Sequence, residues 1–204
     1  MNHTEQDLIE AAGDLQPGPS PTALEELARR AELEGLLDVA YGQADSPFGP
    51  LTVAVTERGL VRLAYPELPV DRVLESLAKR VSPRILEAPA RVDPIRRELE
   101  RYFEGRLRSF SSPVDWALTH GFFRGVLQAT ARIPYGDVRT YTEVAASAGS
   151  ARAVRAAGNG LGSNPIPIVV PCHRVVRTGG GLGGYTGGLE RKEYLLALEG
   201  RILG

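Results

Sequence analysis

Cysteine occurs once in 204 residues, a scarcity that excludes an intrachain disulfide and any Cys-rich zinc site. Histidine is almost as rare. His3, His120 and His173 show no metal-ligand spacing, so neither a metal nor another cofactor is implied. No apolar run approaches the roughly 18 residues that span a bilayer, and Met1 to Glu10 lacks the basic and apolar regions of a signal peptide. The expected location is the cytoplasm, with no membrane partner. Excess charge is missing too, at a formal net of −1. Its distribution is uneven: residues 1–110 carry a net −5, and residues 111–204 carry +4, from 10 Lys/Arg against 6 Asp/Glu. A basic half joined to an acidic one is compatible with a local DNA-binding face and equally with an ordinary surface. At 22.0 kDa the chain can bury one good core, or two small ones sharing a boundary.

Residues 1–20 read as a loosely ordered leader ending in Pro17-Gly18-Pro19-Ser20-Pro21. Thr22 and Glu25 form a capping-box pattern for a helix to about Leu37, with Leu24, Leu27, Ala31, Leu36 and Leu37 on its apolar side, docked on the domain or offered to a partner. Strands follow at Val39–Tyr41, Leu51–Val55 and Leu60–Ala64, the last pair joined by a Glu57-Arg58-Gly59 turn into a small antiparallel sheet. Helices are predicted over Asp71–Arg80 and over Pro94–Phe103, with Pro94 in the first turn and Arg96 to Arg101 forming a solvated face. A linker, Ser109 to Pro113, leads into the second half, with Phe110 still anchored to the first.

There, a helix over Gly121–Ala131 precedes the turn Ile133-Pro134-Tyr135-Gly136, and Thr140 with Glu143 opens another helix to about Ala148. Gly149 stops it, and Ser150 caps a third helix over Ala151–Leu161. Two short helices joined by a glycine turn have the form of a helix-turn-helix. Arg152 and Arg155 share a face of the second, beside the slim Ala153, Ala156, Ala157 and Gly158. A slim arginine-bearing helix can approach a nucleic-acid groove closely, and the same small residues would also allow tight packing in a core. The glycine run 179–188 lacks the Lys-Ser/Thr ending of a phosphate loop; it lets backbone approach a flat ligand, with Tyr185 available to stack.

Residues 164–175 read Asn-Pro-Ile-Pro-Ile-Val-Val-Pro-Cys-His-Arg-Val. Ile168, Val169 and Val170 predict a short buried strand ended by Pro171, which has no N–H to give to a ladder. Cys172 then sits at the rim of a core. A thiol beside an imidazole and a guanidinium can be held as thiolate near neutral pH, since positive charge and hydrogen bonding lower its usual pKa of about 8.5. That makes Cys172 a candidate nucleophile; the plainer reading is a small buried hydrophobe. On a strand His173 would point away from Cys172, so it reaches the sulfur only if the chain turns or a water bridges them.

Taken in order, several pieces resemble the O6-alkylguanine-DNA alkyltransferases: Ile133-Pro134-Tyr135-Gly136, Thr140-Tyr141, the Arg155 helix, Asn164-Pro165, Pro171-Cys172-His173-Arg174-Val175, Gly184-Tyr185-Thr186-Gly187-Gly188, and Lys192 with Leu195-Leu196 and Glu199-Gly200. The resemblance runs from about Val39 onward and is strongest after Phe122. It implies an α/β (α+β) fold. A leader and helix (1–37) would precede a ribonuclease-H-like sheet-and-helix domain (38–110) and a mostly helical DNA-binding and alkyltransferase domain with a helix-turn-helix (117–204).

The implied activity is removal of the alkyl group from O6-alkylguanine, and from O4-alkylthymine, in double-stranded DNA, by a monomer that acts once. Cys172 matches the alkyl acceptor, His173 the base that deprotonates it through water, and Glu199 the carboxylate that orients the imidazole. Arg155 matches the finger replacing the extruded base, Tyr141 the residue beside the flipped nucleotide that protonates the departing guanine, and Asn164 the brace between the helix-turn-helix and the cysteine segment. Arg152, Ala153, Ala156 and Gly158 would face DNA; Tyr185, Thr186, Val175 and Lys192 would border the base. Two other functions compete. A lesion sensor would use the helix-turn-helix without repair, but its branch carries Trp at the acceptor position; a Cys-His hydrolase would need a second histidine with a role and an oxyanion-hole pattern, and neither is evident.

Overall fold

A computed structural model describes residues 21–201; the expected leader lies outside them. The first described helix, α1 (Pro21–Leu33), begins one residue before the expected Thr22 cap and stops short of Leu37. Gly35 (φ +66°) turns the chain left-handed, and the Leu36 N–H closes back on the Ala31 carbonyl at 2.7 Å. The helix docks through a narrow stripe of small residues, Ala28 and Ala31, and through the Arg91–Glu32 ion pair. Leu27, expected inward, is 52% exposed, since a close helix resting on alanines leaves its flanks in water; Leu36, also expected inward, lies past the helix end and is 51% exposed.

Strands β1 (Val39–Ala44), β2 (Leu51–Thr56) and β3 (Gly59–Ala64) form the expected antiparallel meander. A fourth, β4 (Ile85–Glu87), adds in parallel beside β1, giving the order β3-β2-β1-β4. Three residues carry too little alternation to announce a strand. Helix α2 (Val70–Arg80) buries Val73 and Leu77. Helix α3 (Pro89–Phe103) starts five residues earlier than expected, with Pro89 at its first position and Pro94 inside it. Glu98, expected on a solvated face, is buried: it accepts hydrogen bonds from Ser111 N (2.7 Å), Ser111 Oγ (2.5 Å) and Ser112 N (3.1 Å), so it pins the linker. Phe110 packs on Tyr102 of α3, their rings 5.3 Å apart, as the linker's composition predicts.

The second half contains α4 (Gly121–Ala131), α5 (Tyr141–Ser147), α6 (Val154–Gly162) and α7 (Leu189–Leu198), with a two-residue parallel pair β5 (Arg139–Thr140) and β6 (Val175–Val176). The Thr140–Glu143 capping box forms with both of its hydrogen bonds. Helix α6 begins three residues later than expected, at an Ala153 cap, so Ser150 does not cap it and Arg152 lies in the preceding turn.

The two halves share one core, in which Leu51, Val53 and Leu63 of the sheet meet Leu127, Ile166, Ile168 and Leu195. The seam is also hydrogen-bonded: Leu63 N–H donates to the Pro165 carbonyl (2.9 Å) and Leu60 N–H to that of Pro113 (2.8 Å). Gly59, at φ +124°, lies so close to Pro113 that a Cβ there would stand 2.1 Å from its carbonyl oxygen. Among the described residues no helix is long and apolar enough to cross a membrane.

Candidate active site

The apolar run before the cysteine is buried as expected but is not a strand. Ile168 adopts φ +74°, and the chain coils through short bonds, Val170 N to Ile166 O at 2.9 Å and Cys172 N to Val170 O at 2.8 Å. A β-branched residue in the left-handed region costs about 1–3 kcal/mol, borne here by complete burial of Ile166, Ile168 and Val170. Cys172, His173 and Arg174 then form one 3-10 turn, so the strand geometry that would oppose sulfur and imidazole does not arise. Asn164 clasps this segment: its Nδ2 donates to the Val170 carbonyl (2.8 Å) and to Cys172 Sγ (3.1 Å), and its Oδ1 accepts from Ile166 N (3.0 Å).

Glu199 caps the C-terminus of α7, where the imidazole of His173 meets it, Nε2 to Oε1 at 3.0 Å. Three more groups converge on this carboxylate. Arg174 binds it through Nε and Nη2, both at 2.8 Å, Tyr102 of α3 donates its hydroxyl at 2.7 Å, and Gly136 N–H donates at 3.2 Å. Burial pushes the Glu199 carboxyl up, but the His173 and Arg174 hydrogen bonds outweigh it and hold the pKa at about 2. His173 is fully buried, which lowers its pKa despite the carboxylate; the imidazole is neutral at pH 7. With Nε2 turned to Glu199, Nε2 carries the proton and Nδ1 is the free acceptor.

One expectation is corrected here. The guanidinium of Arg174 serves Glu199 and the Ile133 carbonyl (2.5 Å), and burial drives the Cys172 thiol up to about 11, only partly offset by the Asn164 hydrogen bond and the Lys192 charge. The resting sulfur is therefore a thiol and not a thiolate.

A cavity of about 480 Å³ opens at the sulfur, lined by Tyr141, Gly158, Leu161, Gly162, Cys172, Gly184, Tyr185 and Thr186. Helices α5 and α6 thus frame one side and the glycine-rich loop the other. Tyr141 donates its hydroxyl to the Gly184 carbonyl (3.2 Å), and burial raises its pKa, so the phenol keeps its proton. Thr186 ties the loop to α6 through the Gly162 carbonyl (2.8 Å). Val175 and Lys192, expected beside the base, do not line this cavity. Val175 is buried in β6. Lys192 lies behind the loop, where its ammonium donates to the carbonyls of Val175 (2.6 Å), Leu182 and Gly184. Burial lowers the Lys192 pKa to about 8.

On α6, Arg155 is exposed one turn before the cavity-lining Gly158; Ala153 and Ala156 are half-buried, and Arg152 is exposed in the turn. The Arg152–Arg155 helical face of the sequence reading is thus broken at Arg152. Among the described residues no group of three or more His, Cys, Asp or Glu side chains could hold a metal ion. Sequence reasoning missed Tyr102 and gave Arg174 another task, because nothing local in an amphipathic helix or a Cys-His-Arg string reports a carboxylate tens of residues away.

Both halves of the chain resemble known proteins. Residues 39–116 match the model of the 6-O-methylguanine DNA methyltransferase ribonuclease-like domain, and residues 121–201 that of its DNA binding domain. The chain is 39% identical over 150 residues to the inducible methylated-DNA--protein-cysteine methyltransferase of Bacillus subtilis, covering 73% of this chain and 83% of that one. It is 39% identical to a Methanosarcina barkeri protein of the same name, minus the qualifier, covering 78% and 96%. Among solved structures, Mycobacterium tuberculosis OGT in complex with DNA superposes with a TM-score of 0.67 at 37% identity, covering 79% of this chain and 93% of that one.

Proposed function

Because the chain belongs to the 6-O-methylguanine DNA methyltransferase family, we infer that it is a DNA repair protein that moves an alkyl group from guanine O6 in duplex DNA onto its own Cys172. The observation that carries this reading to the residue is the position of the only cysteine, on the wall of a tyrosine-lined cavity beside α6 and adjacent in sequence to a buried His173–Glu199 pair.

O6 is buried in a stacked duplex, so the guanine must leave the stack, at a cost of a few kcal/mol. Arg155 is exposed on α6 one turn from the cavity and can occupy the gap; Arg152, exposed in the preceding turn, can meet phosphate. With the base in the cavity, His173 Nδ1 takes the thiol proton through an intervening water, and Glu199 stabilises the imidazolium that results. Sulfur attacks the alkyl carbon, the carbon–O6 bond breaks, and its electron pair passes into the guanine ring, which Tyr141 protonates. The bonds lost are S–H, C–O and the Tyr141 O–H; those gained are S–C, a guanine N–H and the His173 Nδ1–H, and return of that last proton to Tyr141 through solvent restores both side chains. A thioether is stable and no second thiol exists to receive the group, so each monomer acts once.

Intact mass after mixing with a duplex containing one O6-methylguanine tests the reading. The expected result is one methyl per chain, mapped to Cys172, with one duplex restored. Repair of a second equivalent, an adduct elsewhere, or alkyl left on the DNA would overturn it, the last outcome indicating a lesion sensor.

Arg155→Ala separates flipping from chemistry. Losing about 1.4 kcal/mol of support for the extruded state lowers its population roughly tenfold, so duplex repair should slow by about that factor. Transfer from the free base O6-benzylguanine, which needs no extrusion, should stay within about twofold. Equal losses on both substrates would make Arg155 a brace for α6.

A further inference from the structure

Tyr185 stands on the cavity wall next to the thiol, and the hydrogen-bond partner of its hydroxyl comes from outside its own loop. That partner belongs to the first domain. The Tyr185 hydroxyl lies 2.7 Å from that of Tyr65, the residue following β3, and the two rings meet edge to face at 6.4 Å. Tyr65 is itself fixed on three sides. Phe48 packs against its ring at 6.0 Å. The Arg191 guanidinium sits 4.5 Å from the ring centroid and is tied in turn to Glu67 and the Gly187 carbonyl. Gly187 completes the contact, since a Cβ there would stand 2.7 Å from both tyrosine rings. His173 and Tyr185 also meet edge to face, at 6.4 Å. The ring of Tyr185 thereby contacts both the imidazole and a tyrosine of the ribonuclease-like domain.

We propose that Tyr65 is a positioning residue for alkyl-group selectivity: through its hydroxyl bond it fixes the Tyr185 ring and so sets the space beside Cys172. The proposal rests on alkyl transfer to Cys172 and extends it by assigning pocket width to the first domain. Tyr65 is buried and Tyr185 half-buried, and desolvation raises the pKa of each, so each keeps its proton and has the other as partner. Without that partner the Tyr185 ring can tilt toward the space the Tyr65 hydroxyl leaves, widening the slot for a bulky substituent and leaving methyl transfer little changed. Tyr65→Phe is the fitting probe, because it removes one oxygen and retains the ring against Phe48 and Arg191.

The experiment measures single-turnover alkylation of the full chain on one duplex sequence carrying either O6-methylguanine or O6-benzylguanine, with duplex affinity measured separately. Tyr65→Phe is expected to raise the benzyl-to-methyl rate ratio about tenfold with affinity within about twofold. Tyr185→Phe cuts the same bond from the other side and should shift the ratio alike, and the double variant should shift it no further. A shift that adds across the two changes, equal slowing of both substrates, or an unchanged ratio would overturn the proposal. The wild-type chain separates it from the reading on which it rests. No adduct on wild type would overturn both, and a wild-type adduct with an unchanged variant ratio would overturn this proposal alone.

Discussion

Cys172→Ala is expected to abolish alkyl transfer entirely and to leave affinity for the lesion-bearing duplex within about twofold. The substitution removes one sulfur from a site whose other hydrogen bonds remain: Asn164 still holds the Val170 carbonyl and the Ile166 N–H. The helix-turn-helix and the loop are untouched, so binding persists while chemistry stops. Cys172→Ser should be equally inactive, because a hydroxyl is far less acidic than the thiol, which burial has already raised to about 11. Intact mass of the chain and chromatography of the digested duplex together provide the check. Lesion loss with either variant would mean that another side chain accepts the group. Loss of binding with Cys172→Ala would mean that the sulfur supports the fold of its segment more than its reactivity.

The second large effect belongs to Glu199→Gln. The amide would face hydrogen-bond donors from Tyr102, Arg174, His173 and Gly136, and would leave the Arg174 guanidinium, with a side chain only 8% exposed, without a counter-charge. Breaking one partner of a buried pair costs about 3–5 kcal/mol, a large part of a domain's usual margin of about 5–15 kcal/mol. Urea unfolding at pH 7 should show that loss. Under conditions where the variant stays folded, alkylation should slow at least about tenfold while duplex affinity changes little, because the neutral amide no longer stabilises the His173 imidazolium.

The pH dependence carries a defined sign. The folded pKa of Glu199, at about 2, lies below its ordinary 4.5, so the ionised carboxylate stabilises the fold fully above about pH 4.5. That contribution is lost as pH falls from about 4.5 toward 2. Wild type should weaken across that window by more than Glu199→Gln does. Equal urea midpoints at pH 7 would show that the carboxylate adds no net stability, and matched losses of binding and rate would give it a purely structural role.

Legibility of the chain followed the reach of each signal. The bounds of α4 and the Thr140–Glu143 capping box are set by residues within four positions of one another, and both stand as read. The start of α3 was misplaced because two prolines, Pro89 and Pro94, each fit a helix entry, and only packing selects between them. Burial of Ile168 and Val170 was readable from apolarity, though Val169 is only partly covered; their coiled path was not, since three apolar residues have no period to distinguish strand from turn. Glu98 looked solvated among charged neighbours, because the linker amides that claim it arrive from beyond the helix.

The sequence by itself determined the chemistry available: one thiol, an adjoining imidazole, a carboxylate near the last helix, and an arginine on a slim helix, all named by side-chain type and order. Only the tertiary structure decided how those groups are tuned. The thiol is protonated at rest because the core closes around it, Arg174 serves Glu199 because α7 delivers that carboxylate to the Cys-His-Arg turn, and Tyr65 and Tyr102 reach the site because the sheet domain shares its core. Desolvation and hydrogen bonding depend on which groups surround an atom in space. In this protein most of those groups lie tens of residues away along the chain.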